Sequence, residues 1–169
     1  MTYIDLLEAI AGKIAALWPE RTIYRDFCPA DFKRPSSFLW VAPETGYRDA
    51  SIGLVEWTFE AELELFSATD AYDAESTEAL RADQAAVLSA FGLPLTVGDR
   101  TVMVHAMADS PGPGAAYVIF TASWLDSRPG YTDPDTALPP AGTAPLMEDY
   151  QLNVSVTSGP DREERDDAD

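Results

Sequence analysis

Four glutamates on one side of the segment Leu54–Phe66 are the feature of this sequence most able to do chemistry: Glu56, Glu60, Glu62 and Glu64. Closely set carboxylates can hold a divalent cation, or divide general-acid and general-base duties between them. Both tasks require convergence on one point. Residues i and i+2 of a strand stand about 6.6 Å apart in a line, so this spacing predicts a row of charge and no metal or acid–base centre. The plainest reading of such a row is the solvated face of a half-exposed sheet.

The remaining reactive residues are isolated. His105 is the only histidine and lies among Val104, Ala106 and Met107; without a second His or Cys, neither a nucleophilic triad nor a zinc site can be completed. Cys28 is the only cysteine. Asp26 and Asp31 nearby are expected to raise its pKa, which leaves an inert thiol. Gly112 and Gly114 belong to a Pro-Gly-Pro-Gly turn that lacks the Lys-Ser/Thr of a phosphate loop. The expectation is a protein that is not an enzyme, with no catalytic residue, no metal and no cofactor. One basic loop stands out, Asp31, Phe32, Lys33, Arg34 and Pro35, with a single aromatic between charges. It reads as a solvated loop with Phe32 tucked back into the core, or as a contact loop for another subunit, since aromatics and arginine are enriched at interfaces.

Composition excludes several classes of partner. The chain has 169 residues, 29 acidic against 11 basic, for a net charge of -18. Phosphates and anionic headgroups would be repelled, so a DNA-, RNA- or phospholipid-binding surface is not expected. No run approaches the roughly 20 apolar residues of a membrane-crossing helix. The first residues carry acids inside their apolar stretch and lack a basic start, so no signal peptide is expected. A lone cysteine leaves no internal disulfide and is compatible with a reducing cytoplasm.

The elements that would position these residues follow from periodicity. Ile4, Leu7, Ile10, Ala11, Ile14, Leu17 and Trp18 mark one face of an N-terminal helix, capped by Thr2 with Asp5 in its first turn and ended by Pro19. Strands are expected over residues 22–27 and 37–42, and above all over Leu54–Phe66. There Val55, Trp57, Phe59, Ala61, Leu63 and Leu65 alternate with the glutamates, in a strand longer than about 35 Å. A second helix is expected over residues 73–91, with Asp73 as N-cap, Glu75 and Glu78 in its first turns, and Gly92 and Pro94 as its stop. Strands over residues 101–108 and 115–125 flank the turn at residues 109–114, which no strand should traverse. Consecutive strands without helical crossovers predict an α+β fold: a mainly antiparallel sheet with two helices packed on one face.

Beyond residue 126 the character changes. Residues 127–169 hold 10 acids, 3 bases and six of the thirteen prolines, a composition that predicts an extended Pro-rich arm over 127–158 and an acidic disordered tail over 159–169. Within the arm, Tyr150, Leu152, Val154 and Val156 alternate with polar residues as in a half-buried strand. Such a segment is disordered or folds back on its own subunit, or it adds a strand to a neighbour's sheet edge.

Residues 1–126 resemble the tail terminator (tail completion) proteins of long-tailed bacteriophages and prophages. The likeness is carried by the helix ending in Leu-Trp-Pro19, the strand Thr22-Ile-Tyr-Arg-Asp-Phe27, and a Pro-x-x-Phe-x-x-Pro loop at Pro29, Phe32 and Pro35. It continues in a strand entered through the aromatic Phe38, and in the long strand with Trp57-Thr-Phe59. The resemblance implies a structural virion assembly protein that does no bond chemistry. It forms a ring, usually a hexamer, on the head-proximal end of a tail tube, at the neck of the virion after assembly in the host cytoplasm. The implied partners are further copies of itself, the tail tube protein, a sheath where the tail contracts, and the head connector proteins, with DNA met only in passage and no membrane. Glu56, Glu60, Glu62 and Glu64 would then line the lumen, where an acidic wall would keep DNA from sticking. Two alternatives are a head–tail connector or neck subunit, and an acidic DNA-mimic inhibitor of a host protein, because the glutamate repeat is close to the phosphate spacing along one strand.

Overall fold

Leu54–Phe66 is the spine of the sheet, because its strict alternation offers one apolar face to a core and one polar face to solvent. The computed structural model describes residues 1–70, 76–112 and 114–132. In chain order these form α1 (Tyr3–Leu17), β1 (Thr22–Arg25), β2 (Ser36–Val41), β3 (Gly46–Asp49), β4 (Leu54–Phe66), α2 (Thr77–Ala90), β5 (Leu95–Val97), β6 (Arg100–Val102), β7 (His105–Gly112) and β8 (Ala115–Ser127). The sheet runs β1-β2-β4-β8-β7, with β3 also on β4, and β5 and β6 form a separate hairpin. This is the expected α+β architecture.

The core lies on one face. Phe59, Ala61, Leu63 and Leu65 of β4 register with Ala122, Phe120, Val118 and Ala116 of β8. Against them pack Leu6, Ile10 and Ile14 of α1, Leu80 and Val87 of α2, and Phe91. α1 starts with a full capping box: Asp5 N–H donates to Thr2 Oγ1 at 3.2 Å, and Thr2 N–H donates to Asp5 Oδ2 at 2.7 Å. Gln84 is the buried polar anchor of α2. Its Nε2 donates to the carbonyls of Asp109 (3.0 Å) and Tyr117 (2.7 Å), tying the helix to the β7–β8 pair where that ladder is irregular.

Several boundaries differ from the sequence expectation. In α1, Leu6 joins the buried face and Ile4 is exposed. β1 ends at Arg25 because Asp26 takes φ 59°, and Phe27 is left 73% exposed. β1 and β2 pair parallel, joined by a loop with no helix, so the sheet is mainly but not wholly antiparallel. α2 is capped by Ser76, whose hydroxyl accepts from Ala79 N–H, and not by Asp73. The expected strand over 101–108 is two, β6 and β7. The turn expected at 109–114 is also shorter, since β7 continues to Gly112, which pairs with Ala115. A register shift between Asp109 and Gly112 absorbs the extra residues, and β7 is an edge strand, where a proline removes no ladder bond.

β2 and β3 are one strand interrupted. β2 pairs with residues 61–66 of β4 and β3 with residues 55–58. Across the break the Thr45 hydroxyl donates to the Glu60 carbonyl and accepts from Glu60 N–H, both at 3.0 Å, so a side chain replaces the missing ladder bonds. Asp73, Glu75, and the expected arm with Tyr150, Leu152, Val154 and Val156, lie outside the described residues.

Candidate functional site: the open face of the sheet

The face of the sheet opposite the core carries the glutamate row. Register places Glu64 between Phe38 of β2 and Tyr117 of β8, with Asp109 of β7 beyond Tyr117. Glu62 stands between Trp40 and Ile119, with Met107 next, and Glu60 pairs with Thr121, which pairs with His105. The carboxylates of this stretch stand in a line along β4, beside half-buried residues of β2 and β8 and with exposed residues of β7 beyond. Among the described residues no group of three or more His, Cys, Asp or Glu side chains is arranged to hold a metal ion.

Electrostatics divides the row. Glu56 accepts from Arg48 of β3 at 2.9 Å and 2.7 Å, so its charge is matched. Glu64 Oε1 accepts from the Tyr117 hydroxyl at 3.0 Å. Burial raises the Tyr117 phenol, and the bond to Glu64 adds to the shift by holding the proton in place. Glu62 is also raised, first by burial and then by the charges of Glu64, Asp109 and Glu60. A carboxyl raised in the fold is a destabilising charge at neutral pH, and that penalty disappears once acid protonates it in both states. Glu62→Gln is therefore expected to stabilise the protein at neutral pH by a few tenths to about 1 kcal/mol. The gain should vanish below about pH 4, where glutamate is protonated in the unfolded chain as well. Urea unfolding at the two pH values checks this, and an equal gain at both would show that charge crowding is not its source.

The basic loop folds back on its own sheet. The Phe32 ring sits 4.3 Å from that of Phe66, and the Arg34 guanidinium lies over Phe32 (4.7 Å) and Phe66 (5.2 Å). Lys33 N–H donates to the Tyr24 hydroxyl at 3.1 Å. Asp31, Lys33 and Arg34 are exposed, while Phe32 and Pro35 are half-buried. Cys28 lies near this loop. Its thiol is raised by burial and by Glu64, which outweigh Arg34, so the causes differ from the Asp26 and Asp31 expected from sequence.

A groove of about 770 Å³ opens between α1 and the β2–β3 break, lined in part by Ile4, Leu7, Arg25, Val41 and Pro43. Arg25 pairs there with Glu8 across the wall. His105 is exposed on β7, beside Thr121. Sequence reasoning did not anticipate Asp109 joining the acidic face, which depends on strand neighbours far away in sequence, or Arg48 cancelling Glu56 eight residues on, which depends on the β3–β4 register. No helix among the described residues is long and apolar enough to cross a membrane.

No family model and no curated protein matches the sequence. Among solved structures, one chain aligns over 79% of this chain and 99% of its own length, at 13% identity and a TM-score of 0.42.

Proposed function

We propose that this chain is a tail-completion protein of a long-tailed phage or phage-derived tail. Copies assemble as a ring on the head-proximal end of the tail tube, stop its growth and offer a surface to the head connector. The reading starts from the resemblance of residues 1–126 to tail terminators. The observation that carries it further is the open sheet face, where Glu60, Glu62 and Glu64 stand in line with Asp109 alongside. Facing the lumen of a ring, this surface would repel phosphates at short range, within a Debye length of about 8 Å, and let DNA slide past without sticking. Glu56, paired with Arg48, contributes less to that wall. The partners are further copies of the chain, the tube protein (with a sheath in a contractile tail) and the connector.

Deleting the gene from its phage or prophage and imaging the lysate by negative-stain electron microscopy tests the proposal. Overlong tubes, or headless tails of irregular length, are the expected result. Tails of normal length that fail to join heads would instead place the protein at the connector. Normal, infectious particles would overturn a role in tail assembly. They would favour the reading as a DNA-mimic inhibitor, for which the carboxylate line on β4 is the supporting feature.

A further inference from the structure

The open face of the sheet carries more than carboxylates. Register sets Phe38 of β2 and Tyr117 of β8 on either side of Glu64, and Trp40 and Ile119 on either side of Glu62. These four flanking residues are half-buried, and Met107 of β7, beyond Ile119, is 53% exposed. Both helices pack on the opposite face. Residues directly opposite each other on paired strands have Cβ atoms about 5 Å apart. Glu62 and Glu64 therefore each have an aromatic side chain as an immediate neighbour on the same face.

A carboxylate beside an aromatic ring is a setting that accepts an organic cation. A guanidinium paired with Glu62 would come within reach of the Trp40 ring, whose face attracts a cation within about 6 Å. Arginine suits this better than lysine, because its planar group can pair with a carboxylate along one edge and stack on a ring with its flat side. The chain supplies one such case itself. Phe66 follows Glu64 by two residues and so shares its face, and there the Arg34 guanidinium lies 5.2 Å over the Phe66 ring. Glu60 and Glu62 pair with no lysine or arginine among the described residues. The charges of Glu64, Asp109 and Glu60 already crowd Glu62, and an added cation would relieve that crowding.

Charge selects the occupant. A second copy of a chain with net charge -18, a nucleic acid and an anionic lipid surface would all bring like charge to this row. An extended peptide presents alternate side chains to one side about every 6.6 Å, the interval at which Glu60, Glu62 and Glu64 repeat. We infer that this face docks an extended, arginine-bearing segment of a partner protein, whose alternate residues pair with Glu60, Glu62 and Glu64 and stack against Trp40 and Phe38. The inference rests neither on the tail-completion reading nor on its DNA-mimic alternative, both of which use only the charge of this face. A docked arginine segment needs the aromatic side chains as well.

The probe is a dye-labelled short peptide of alternating arginine and serine, titrated with the full chain at physiological salt and followed by fluorescence anisotropy. Circular dichroism confirms that each variant is folded. The wild-type chain is expected to bind this peptide at least about fivefold more tightly than its lysine counterpart. Trp40→Leu, which keeps an apolar side chain but removes the ring, and Glu62→Gln are each expected to weaken binding about fivefold. Glu62→Gln is expected to stabilise the fold, so its loss of binding would not come from unfolding. Glu20→Gln removes the same charge from an exposed position after α1 and should leave binding unchanged. Absence of binding by the wild-type chain would overturn the inference, as would equal affinity for the lysine peptide or binding that Trp40→Leu leaves intact. An equal loss in Glu20→Gln and Glu62→Gln would also overturn it, by reducing the attraction to net charge. None of these outcomes bears on the tail-completion reading, which the tail-length phenotype decides.

Discussion

Phe120→Ala is expected to lower the unfolding free energy by about 3–5 kcal/mol, the usual cost of emptying a large aromatic site in a core. Phe120 is fully buried, registers with Ala61 on β4 and Ala106 on β7, and has its ring 4.7 Å from that of Phe91. Alanine on both flanking strands leaves no long side chain that could lean into the space, so collapse would be incomplete and the cavity cost would persist. Against a typical total of about 5–15 kcal/mol, such a loss takes the domain near its unfolding threshold. Urea unfolding followed by tryptophan fluorescence measures it. A loss below about 1 kcal/mol, the scale of an ordinary surface or half-buried change, would mean that Phe120 does not organise the core.

Asp126→Asn is expected to cost about 1.5–3 kcal/mol at neutral pH, the range for hydrogen bonds to a charged group. The carboxylate accepts from the Met1 ammonium (3.0 Å), from Arg100 (3.0 Å) and from Ser127 N–H (2.8 Å). It thereby joins the start of α1, the β5–β6 hairpin and the end of β8. Burial pushes the Asp126 carboxyl up, but these donors together outweigh it and hold the group below the ordinary aspartate value. A pKa depressed by folding contributes stability that is fully present above the unfolded value, near pH 3.9, and is lost as pH falls through the folded one. The gap between wild type and Asp126→Asn should therefore be widest at neutral pH and shrink below about pH 4. A gap of constant size down to acid pH would show that the loss comes from packing and not from charge.

These two sites differ in how far the sequence announces them. Phe120 lies in a plainly apolar alternating run, and its burial is what that run predicts. Nothing around Asp126 reports its partners, because Met1 and Arg100 are brought to it by the path of the chain. The same contrast runs through the open face. The alternation of β4 assigns Glu56, Glu60, Glu62 and Glu64 to one side of a strand, whatever the neighbours are. Only the pairing of β3 with β4 sets Arg48 beside Glu56, and only the β7–β8 register adds Asp109 to the row. For the basic loop, Phe32 packs on Phe66, which is more than thirty residues away in the sequence.

What the sequence determined by itself is local. The Thr2–Asp5 capping box, the stop at Pro19, the strand Leu54–Phe66 with one acidic and one apolar side, and the α+β class all follow from propensities and periods read over a few residues. The tertiary structure alone decided the parallel pairing of β1 with β2. It also decided the split into β6 and β7, and the meeting of Tyr3, Tyr47, Trp57 and Trp124 at one end of the sheet. Those outcomes depend on which distant segments become neighbours. That choice is settled by burying one shared core at the cost of loop-closure entropy, a balance that no short window of residues contains.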